Sequence, residues 1–417
     1  MIFCTARSVM PTLVTTSRNR ISGSAARQSR TCAWLVKKVQ PTVSGREDAD
    51  FFIFAVDVDI GIKIHALKFA CLNSGDSTPE SRILQAPPLI LMEFIQSLAS
   101  SLFSPMVLAF ALGIFAAVVK SDLKFPDELY AALTIYLLFA IGLKGGMKLE
   151  GVSLSVVGGP LLCAIGLSCA IPIWSFYILK GVVRLDATNA GAIAAHYGSV
   201  SAVTFSAVLA FLETSKTPVE GFMPALLAVM EAPAIIVAVF LAMRKSGGGN
   251  SQPSDFKHLL HDLLTGKGII LLLGGLVIGI ACGKKGFDQV APLFDAPFKG
   301  VLALFLLEVG LITGRRLNDL KQAGWRLVAF ALAMPVLHGL LGAYLGKFCG
   351  LDLGGTTVLA TLAASASYIA APAAVRVALP AASPALYLAS SLAITFPFNI
   401  VFGIPLYHEF AKFFLIR

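Results

Sequence analysis

Most of this chain is divided into apolar segments, separated by short loops that contain Gly, Pro, Lys and Arg. The segments are about 15–28 residues long, which suits helices that cross the roughly 30 Å hydrocarbon core of a bilayer. Strands of a membrane barrel would instead alternate in polarity over about ten residues. Only 14% of the residues are charged, against about 25% in soluble domains, so a water-facing surface would remain uncovered. The pattern predicts an all-α membrane protein.

The apolar segments predict ten transmembrane helices in two groups of five. The predicted segments are 102–119, 129–143, 152–179, 187–212, 224–243, 268–282, 291–312, 327–350, 357–379 and 383–402. Residues 92–243 then form a first five-helix repeat, 244–266 a polar linker, and 267–417 a second five-helix repeat that ends in an amphipathic tail from residue 407.

Residues 1–91 differ in kind from the rest of the chain. The first part of this region is rich in Arg and Ser, and the rest has a mixed composition without a convincing membrane span. Two interpretations are open: a cleaved organelle transit segment, and a misplaced start codon with the true start at Met92. We favour Met92, and in either case predict a disordered or spurious extension outside the fold.

The formal charge of +9 does not indicate a nucleic-acid partner. Much of the excess comes from the first 46 residues, which hold eight Lys and Arg side chains and no acid. The sequence contains no nucleophile elbow, HExxH motif or Walker loop. We therefore expect a protein that is not an enzyme and that draws its energy from ion gradients.

The two groups of five segments resemble each other. Ile141-Gly142-Leu143 recurs as Val309-Gly310-Leu311, Leu185-Asp186 as Leu351-Asp352, and Glu231-Ala232-Pro233 as Thr395-Phe396-Pro397, at offsets of 168, 166 and 164 residues. Because five is an odd number, two copies in series must lie upside down to each other in the membrane. The sequence predicts inverted repeats. Twelve Lys and Arg on one set of loops, against eight or nine on the other, place the linker weakly in the cytoplasm.

The fourth and ninth segments are interrupted by polar residues at their middles. The fourth contains Gly198-Ser199-Val200-Ser201, and the ninth contains Ser365-Ala366-Ser367-Tyr368 and then Pro372. We predict that the helices unwind at Gly198 and Pro372 near the membrane midplane. The N-termini of the resulting half-helices carry partial positive charge and, with nearby hydroxyls, suit a small oxyanion. Small residues also occur where membrane helices merely pack closely, but their recurrence in both halves favours the anion site.

Glu231 lies inside the fifth segment, just before Pro233. A carboxylate at this depth costs on the order of 3 kcal/mol, so it needs a cation, a proton or a structural partner. Hard oxygens on a loosened helix suit Na⁺, and Glu231 is our candidate ligand for this metal ion, with Asn399 as the polar counterpart in the other half. Arg376, one turn past Pro372, either assists the anion or extends to the membrane surface.

Several stretches of residues 92–414 resemble the single-component sodium-dependent bicarbonate transporters. The matching stretches are Ile141-Gly142-Leu143, Gly145-Gly146-Met147, 198–204, Leu212-Glu213, Ser215-Lys216, Met230-Glu231-Ala232-Pro233, Leu337-His338-Gly339, 363–372, Arg376 and Ser390-Ser391. The resemblance implies a core domain that holds the substrate and moves against a gate domain, a multi-pass location in the plasma membrane, a homotrimer, and inhibition by a small PII-like protein.

The resemblance also implies a set of binding residues. Bicarbonate would lie between the crossed half-helices, at Gly198, Ser199, Ser201, Thr204, Ser365 and Ser367, with sodium at Glu231. From the residues themselves we add Arg376 to the predicted anion site, and Asn399 and Tyr368 to the predicted sodium site. That family carries Asp where this chain has Tyr368, and Ser where it has Val203 and Ala370. The chain therefore resembles a divergent branch, whose substrate is bicarbonate or another small anion.

The sequence thus favours sodium-coupled uptake of bicarbonate, with Na⁺ as coupling ion and the lipid bilayer as surroundings. The alternatives are a symporter of another small organic anion, a cation/proton antiporter on a related scaffold, and a passive channel. The channel is disfavoured because the site sits on broken helices rather than around an open pore.

Overall fold

The computed structural model describes residues 98–99, 101–245 and 261–416, which all belong to one compact unit, Pro79–Arg417. The predictions for residues 1–91 and Met92, and for most of the linker, fall outside the described residues. The described part of the chain is helical and contains no strand, which confirms the all-α class.

The helices follow one another with short connections. In chain order they are α1 (Pro105–Val118), α2 (Asp127–Leu149), α3 (Leu154–Ile178), α4 (Ala187–Gly198), α5 (Ala202–Thr214), α6 (Met223–Glu231), α7 (Pro233–Lys245), α8 (Lys267–Phe294), α9 (Phe298–Arg316), α10 (Leu320–Phe348), α11 (Leu353–Ala364), α12 (Ala370–Ala378), α13 (Pro384–Leu388) and α14 (Ile404–Ile416). Two π-helical stretches, Ala389–Thr395 and Asn399–Gly403, lie between α13 and α14.

Within the described residues, seven helices are long and apolar enough to cross a membrane. They are Asp127–Leu149, Ser155–Val183, Ala187–Thr214, Met223–Lys245, Lys267–Phe294, Gln322–Phe348 and Pro384–Leu415. Two shorter apolar helices, Pro105–Val118 and Leu353–Ala364, accompany them. Each predicted segment overlaps one of the helices or a pair of half-helices, and the chain is a multi-pass membrane protein.

One predicted boundary agrees with the structure and one is wrong. The sixth segment was expected to end at residue 282, and α8 is interrupted there, at Gly283 with φ +57° and ψ −164°, before a second helical stretch runs to Phe294. Glycine tolerates this conformation because it lacks a Cβ, and the Glu150 carboxylate accepts a hydrogen bond from the Lys284 amide at 3.3 Å. The last segment, in contrast, does not stop at residue 402, because its π-helical stretch continues directly into α14.

Glycines allow two pairs of helices to cross at close range. A Cβ on Gly113 would overlap the backbone of α9 beside Gly310, and one on Gly142 would lie 2.6 Å from the Leu272 carbonyl of α8, beside Gly275. Backbones approach this closely in membranes only where the side chains are small. The helices α1, α2, α8 and α9 therefore form a tightly crossed group.

The two interrupted helices lie inside the protein rather than against lipid. In Ala187–Thr214, 83% of the most apolar window is buried, against 28% in Lys267–Phe294. Every residue of α11 from Gly354 to Ala364 is also buried. Polar breaks at this depth are tolerated because protein, not hydrocarbon, surrounds the freed backbone groups.

Candidate functional site

The breaks in the fourth and ninth segments contact each other. The Ser367 amide donates to the carbonyl oxygen of His196 at 2.8 Å, and the Ser201 amide donates to the hydroxyl of Ser365 at 3.2 Å. Each break thus supplies partners for backbone groups that the other leaves without a helical hydrogen bond. The predicted meeting of the stretches around Gly198 and Ser367 is present in the structure.

The ninth segment unwinds earlier than predicted. The backbone leaves the helix at Ser365, where φ is −77° and ψ is 160°, and becomes helical again at Ala370. Pro372 is the third residue of α12, not the point of the break. Proline is tolerated there because the amides of a first helical turn have no intrahelical acceptor. In the fourth segment the break begins directly after Gly198, as predicted.

Hydroxyls begin both of the following half-helices. Ser201 is the N-cap of α5, and its Oγ accepts a hydrogen bond from the Thr204 amide at 3.1 Å. Ser367 Oγ accepts one from the Ala371 amide at 3.3 Å, in the first turn of α12. The N-terminus of each half-helix is therefore ordered by a serine from its own break.

A cavity of about 300 Å³ lies where these N-termini meet. From the two breaks it is lined by Val200, Ser201, Ala202, Ser367, Tyr368, Ile369 and Ala370. Glu231 and Gly268 line it from the fifth segment and from α8, while Asp262 and Lys267 add charged groups. Serine hydroxyls, two helix N-termini and the carboxylates of Glu231 and Asp262 thus share a single space.

Glu231 is half-buried in this cavity. Within the described structure its Oε2 atom has no hydrogen-bond partner, and a Cβ on Gly268 would lie 2.6 Å from Oε1. Gly268 belongs to the first turn of α8, whose partial positive charge favours a nearby carboxylate. The Glu231 carbonyl accepts a hydrogen bond from Ser199 Oγ at 2.8 Å, which ties the fifth segment to the break in the fourth.

Four of the predicted site residues support the breaks but do not line the cavity. Ser199 and Ser365 are fully buried and hydrogen-bonded, and Thr204 contributes its amide to the Ser201 cap. Gly198 lies against Pro172 and Ala234, where a Cβ would come within 2.5 and 2.6 Å. Their observed contacts are structural.

Two further predicted residues lie away from the cavity. Arg376 is exposed on α12 and is absent from the lining, which α12 supplies through Ala373 and Val377. Asn399 is fully buried, and its side chain donates to the Ala364 carbonyl at 2.9 Å while accepting from Tyr407 Oη at 2.6 Å. Asn399 therefore satisfies the C-terminal end of α11.

The sequence did not single out the start of α8 as part of the site. Lys267 and Gly268 enter the cavity because α8 begins beside Glu231. A Gly-Lys-Gly start to an apolar helix carries no local signal that it faces a site. No group of three or more His, Cys, Asp or Glu side chains that would suit a transition metal occurs in the described residues.

Comparison with known proteins identifies one family. The family model of the Na⁺-dependent bicarbonate transporter superfamily matches residues 105–412. A comparison with curated proteins finds no match.

Proposed function

Because the chain belongs to the Na⁺-dependent bicarbonate transporter superfamily, we propose that it couples Na⁺ entry to uptake of bicarbonate across the plasma membrane. The cavity at the crossed breaks is the binding site in this proposal. It combines the donors that a small oxyanion requires with the half-buried carboxylate of Glu231, which requires a cation.

The single observation that carries the proposal is the convergence of two half-helix N-termini on one cavity. Ala202 of α5 and Ala370 of α12 both line it, beside the hydroxyls of Ser201 and Ser367. Helix N-termini and hydroxyls bind anions without a fixed positive side chain. Such a site releases its anion more easily than one built from buried Arg or Lys, as transport demands.

Glu231 supports coupling to a cation. A carboxylate that shares a cavity with a bound anion repels it, and its Oε2 has no described partner. A bound Na⁺ would neutralise this charge, so that cation and anion favour each other's binding. An interior-negative potential opposes an anion by about 2.3 kcal/mol per 100 mV, and one co-transported Na⁺ cancels that cost.

Tyr368 stands where the resembling family carries a carboxylate. It lines the cavity, and its ring packs edge-on against Phe396 at 5.1 Å between centroids. Tyr368 supplies no carboxylate at this position and Asp262 is 65% exposed at the edge of the cavity, so the cation ligands proposed here are Glu231 and backbone carbonyls. Asn399 acts through the shape of the site, because it holds the C-terminal end of α11, and Arg376 has no part in this proposal.

The proposal includes ten transmembrane segments arranged as two inverted repeats. One contact supports it, because it joins equivalent positions of the two halves: the Ser201 amide with the Ser365 hydroxyl, 164 positions apart. A two-fold axis in the membrane would bring equivalent residues together in this way. The crossing of α1 on α9 likewise has its counterpart in that of α8 on α2. We assign these four helices to the gate and the others to the core.

Uptake of labelled bicarbonate into proteoliposomes tests the function. We expect accumulation above equilibrium with an inward Na⁺ gradient and none with K⁺. Glu231→Gln should abolish the Na⁺ effect, whereas Asp288→Asn, at an exposed pair with Lys284, should retain it. Equal uptake in Na⁺ and K⁺ would contradict the coupling.

Other outcomes distinguish the alternatives. Competition by small carboxylates or sulfate but not bicarbonate would indicate another anion. Transport that depends on pH and on Glu231 but not on Na⁺ would indicate a proton-linked antiporter, and uptake that never exceeds equilibrium would indicate a channel. Trimeric assembly and a PII-like regulator stay predictions of the family resemblance.

A further inference from the structure

A second cavity, of about 460 Å³, lies on the far side of the crossed breaks. From α5 it is lined by Leu209, Ala210 and Glu213. From α12 the first cavity is lined by Ala373, Ala374 and Val377, and each of these follows its α5 counterpart by 164 positions, the spacing of Ser201 and Ser365. The two cavities therefore occupy matching places on the two half-helices.

Only the first of the two cavities extends to the helix breaks. The first includes Ser201 and Ser367 in its lining, whereas the lining of the second includes no residue of either break. The binding site is thus continuous with the space beside α8's first turn and is closed off from the second cavity. On the proposed orientation this is an inward-open state.

A single ion pair spans the second cavity between half-helix α5 and the gate. Lys299 Nζ of α9 lies 2.7 Å from Glu213 Oε1 of α5. The other pair, Lys144 with Asp295, joins α2 to the segment before α9 at 2.5 Å and so stays within the gate. At the place that matches Glu213, the first cavity presents Val377, which is 68% exposed and carries no charge.

We propose that the Glu213–Lys299 ion pair is a latch that holds the binding site closed toward the second cavity and must separate before the site opens there. The inference rests on the proposed function, because it requires a core that moves against a gate. The cavity is not itself proposed as an anion site: its lysines, Lys144, Lys148 and Lys299, are balanced by Glu213, Glu220 and Asp295.

The latch is a weak interaction because both of its side chains are exposed to solvent. Lys299 and Glu213 are 48% and 66% exposed, and an exposed ion pair shifts an equilibrium by no more than about fivefold. Salt screens such a pair. A latch of this size favours one state without trapping it, which a transporter that cycles requires.

Cysteine cross-linking tests the latch directly. In the Glu213→Cys/Lys299→Cys variant, made in a background without the native cysteines, we expect Na⁺-driven uptake while reduced, loss of most of it after the two thiols are joined by a reducible bis-methanethiosulfonate reagent that spans the ion pair, and recovery with reductant. The reduced form reports whether the variant folds. The Lys284→Cys/Asp288→Cys variant, one turn apart within α8, should transport equally well before and after cross-linking. Unchanged uptake by the cross-linked Glu213/Lys299 variant would overturn the latch.

A second readout does not depend on bicarbonate. Ala373 lines the first cavity, so in a background without the native cysteines the maleimide labelling rate of an Ala373→Cys variant reports how open that cavity is. Glu213→Gln should lower this rate by up to about fivefold, and the exchange Glu213→Lys with Lys299→Glu should restore it. If Glu213→Gln changes the labelling rate but the protein does not take up bicarbonate, only the proposed substrate is refuted. If Na⁺-driven uptake occurs but Glu213→Gln leaves the labelling rate unchanged, only the latch is refuted.

Discussion

The backbone amide of Ser201 donates a hydrogen bond to the hydroxyl of Ser365, 164 residues further along the chain, at 3.2 Å. Both side chains are buried, at 4% and 0% exposure. Each residue lies at a buried interruption of a helix, and the two interruptions satisfy each other. This mutual contact fixes where the half-helix N-termini point and thereby shapes the cavity.

Replacing Ser201 should weaken both the fold and the binding of the anion. Ser201→Ala removes the cap of α5, which costs about 1 kcal/mol of stability, and a donor to the anion, which should raise the KM for bicarbonate about tenfold. Uptake kinetics and the melting temperature measure these effects. Ser206→Ala is the control: its hydroxyl donates to Ala202 within the same helix, and its KM should stay at the wild-type value.

Sodium should stabilise the purified protein. A ligand at 100 times its Kd raises the free energy of unfolding by about 2.7 kcal/mol, so Na⁺ but not K⁺ should raise the melting temperature. Glu231→Gln should remove this shift, while Asp288→Asn keeps it. A Glu231→Gln protein with an intact Na⁺ shift would exclude Glu231 as a ligand.

Two glycines five positions apart in α8 should differ sharply in their tolerance of alanine. A Cβ on Gly279 would overlap the Leu143 carbonyl of α2, whereas a Cβ on Gly274 would meet nothing within 4 Å. Gly279→Ala should therefore cost about 1–3 kcal/mol through overpacking. Gly274→Ala should leave the melting temperature unchanged, and equal losses in both variants would argue against the close crossing.

The hydrogen bond from the Trp174 indole to the buried imidazole of His338 should contribute to the stability of the protein. Trp174→Phe leaves the 1%-exposed His338 Nε2 without its donor, at a cost of about 1–3 kcal/mol. The matched control is Trp325→Phe, because Trp325 is 76% exposed. Thermal denaturation should show a lower melting temperature for Trp174→Phe than for Trp325→Phe. A Trp174→Phe protein as stable as the wild type would show that the hydrogen bond contributes little.

The class of the protein, and the positions of its polar groups within the apolar segments, can be predicted from the order of its residues alone. Apolar segments of bilayer length leave no soluble fold available, and a polar run or a carboxylate inside such a segment stands out because lipid would penalise it. The break after Gly198, the serines of the ninth segment and Glu231 were predictable for this reason. These are local properties, readable one segment at a time.

Which of these residues contact one another depends on the packing of the folded protein. In the structure the ninth segment breaks at Ser365 and not at the predicted Pro372, and Arg376 lies outside the cavity. Asn399 is hydrogen-bonded to Ala364 and Tyr407 and does not face the site. The first turn of α8, which was not predicted to take part, lies beside Glu231. Glu213 likewise pairs with Lys299, 86 positions away. Hydropathy fixes how deep a residue lies, but the choice of partner depends on how helices from distant parts of the chain pack against one another.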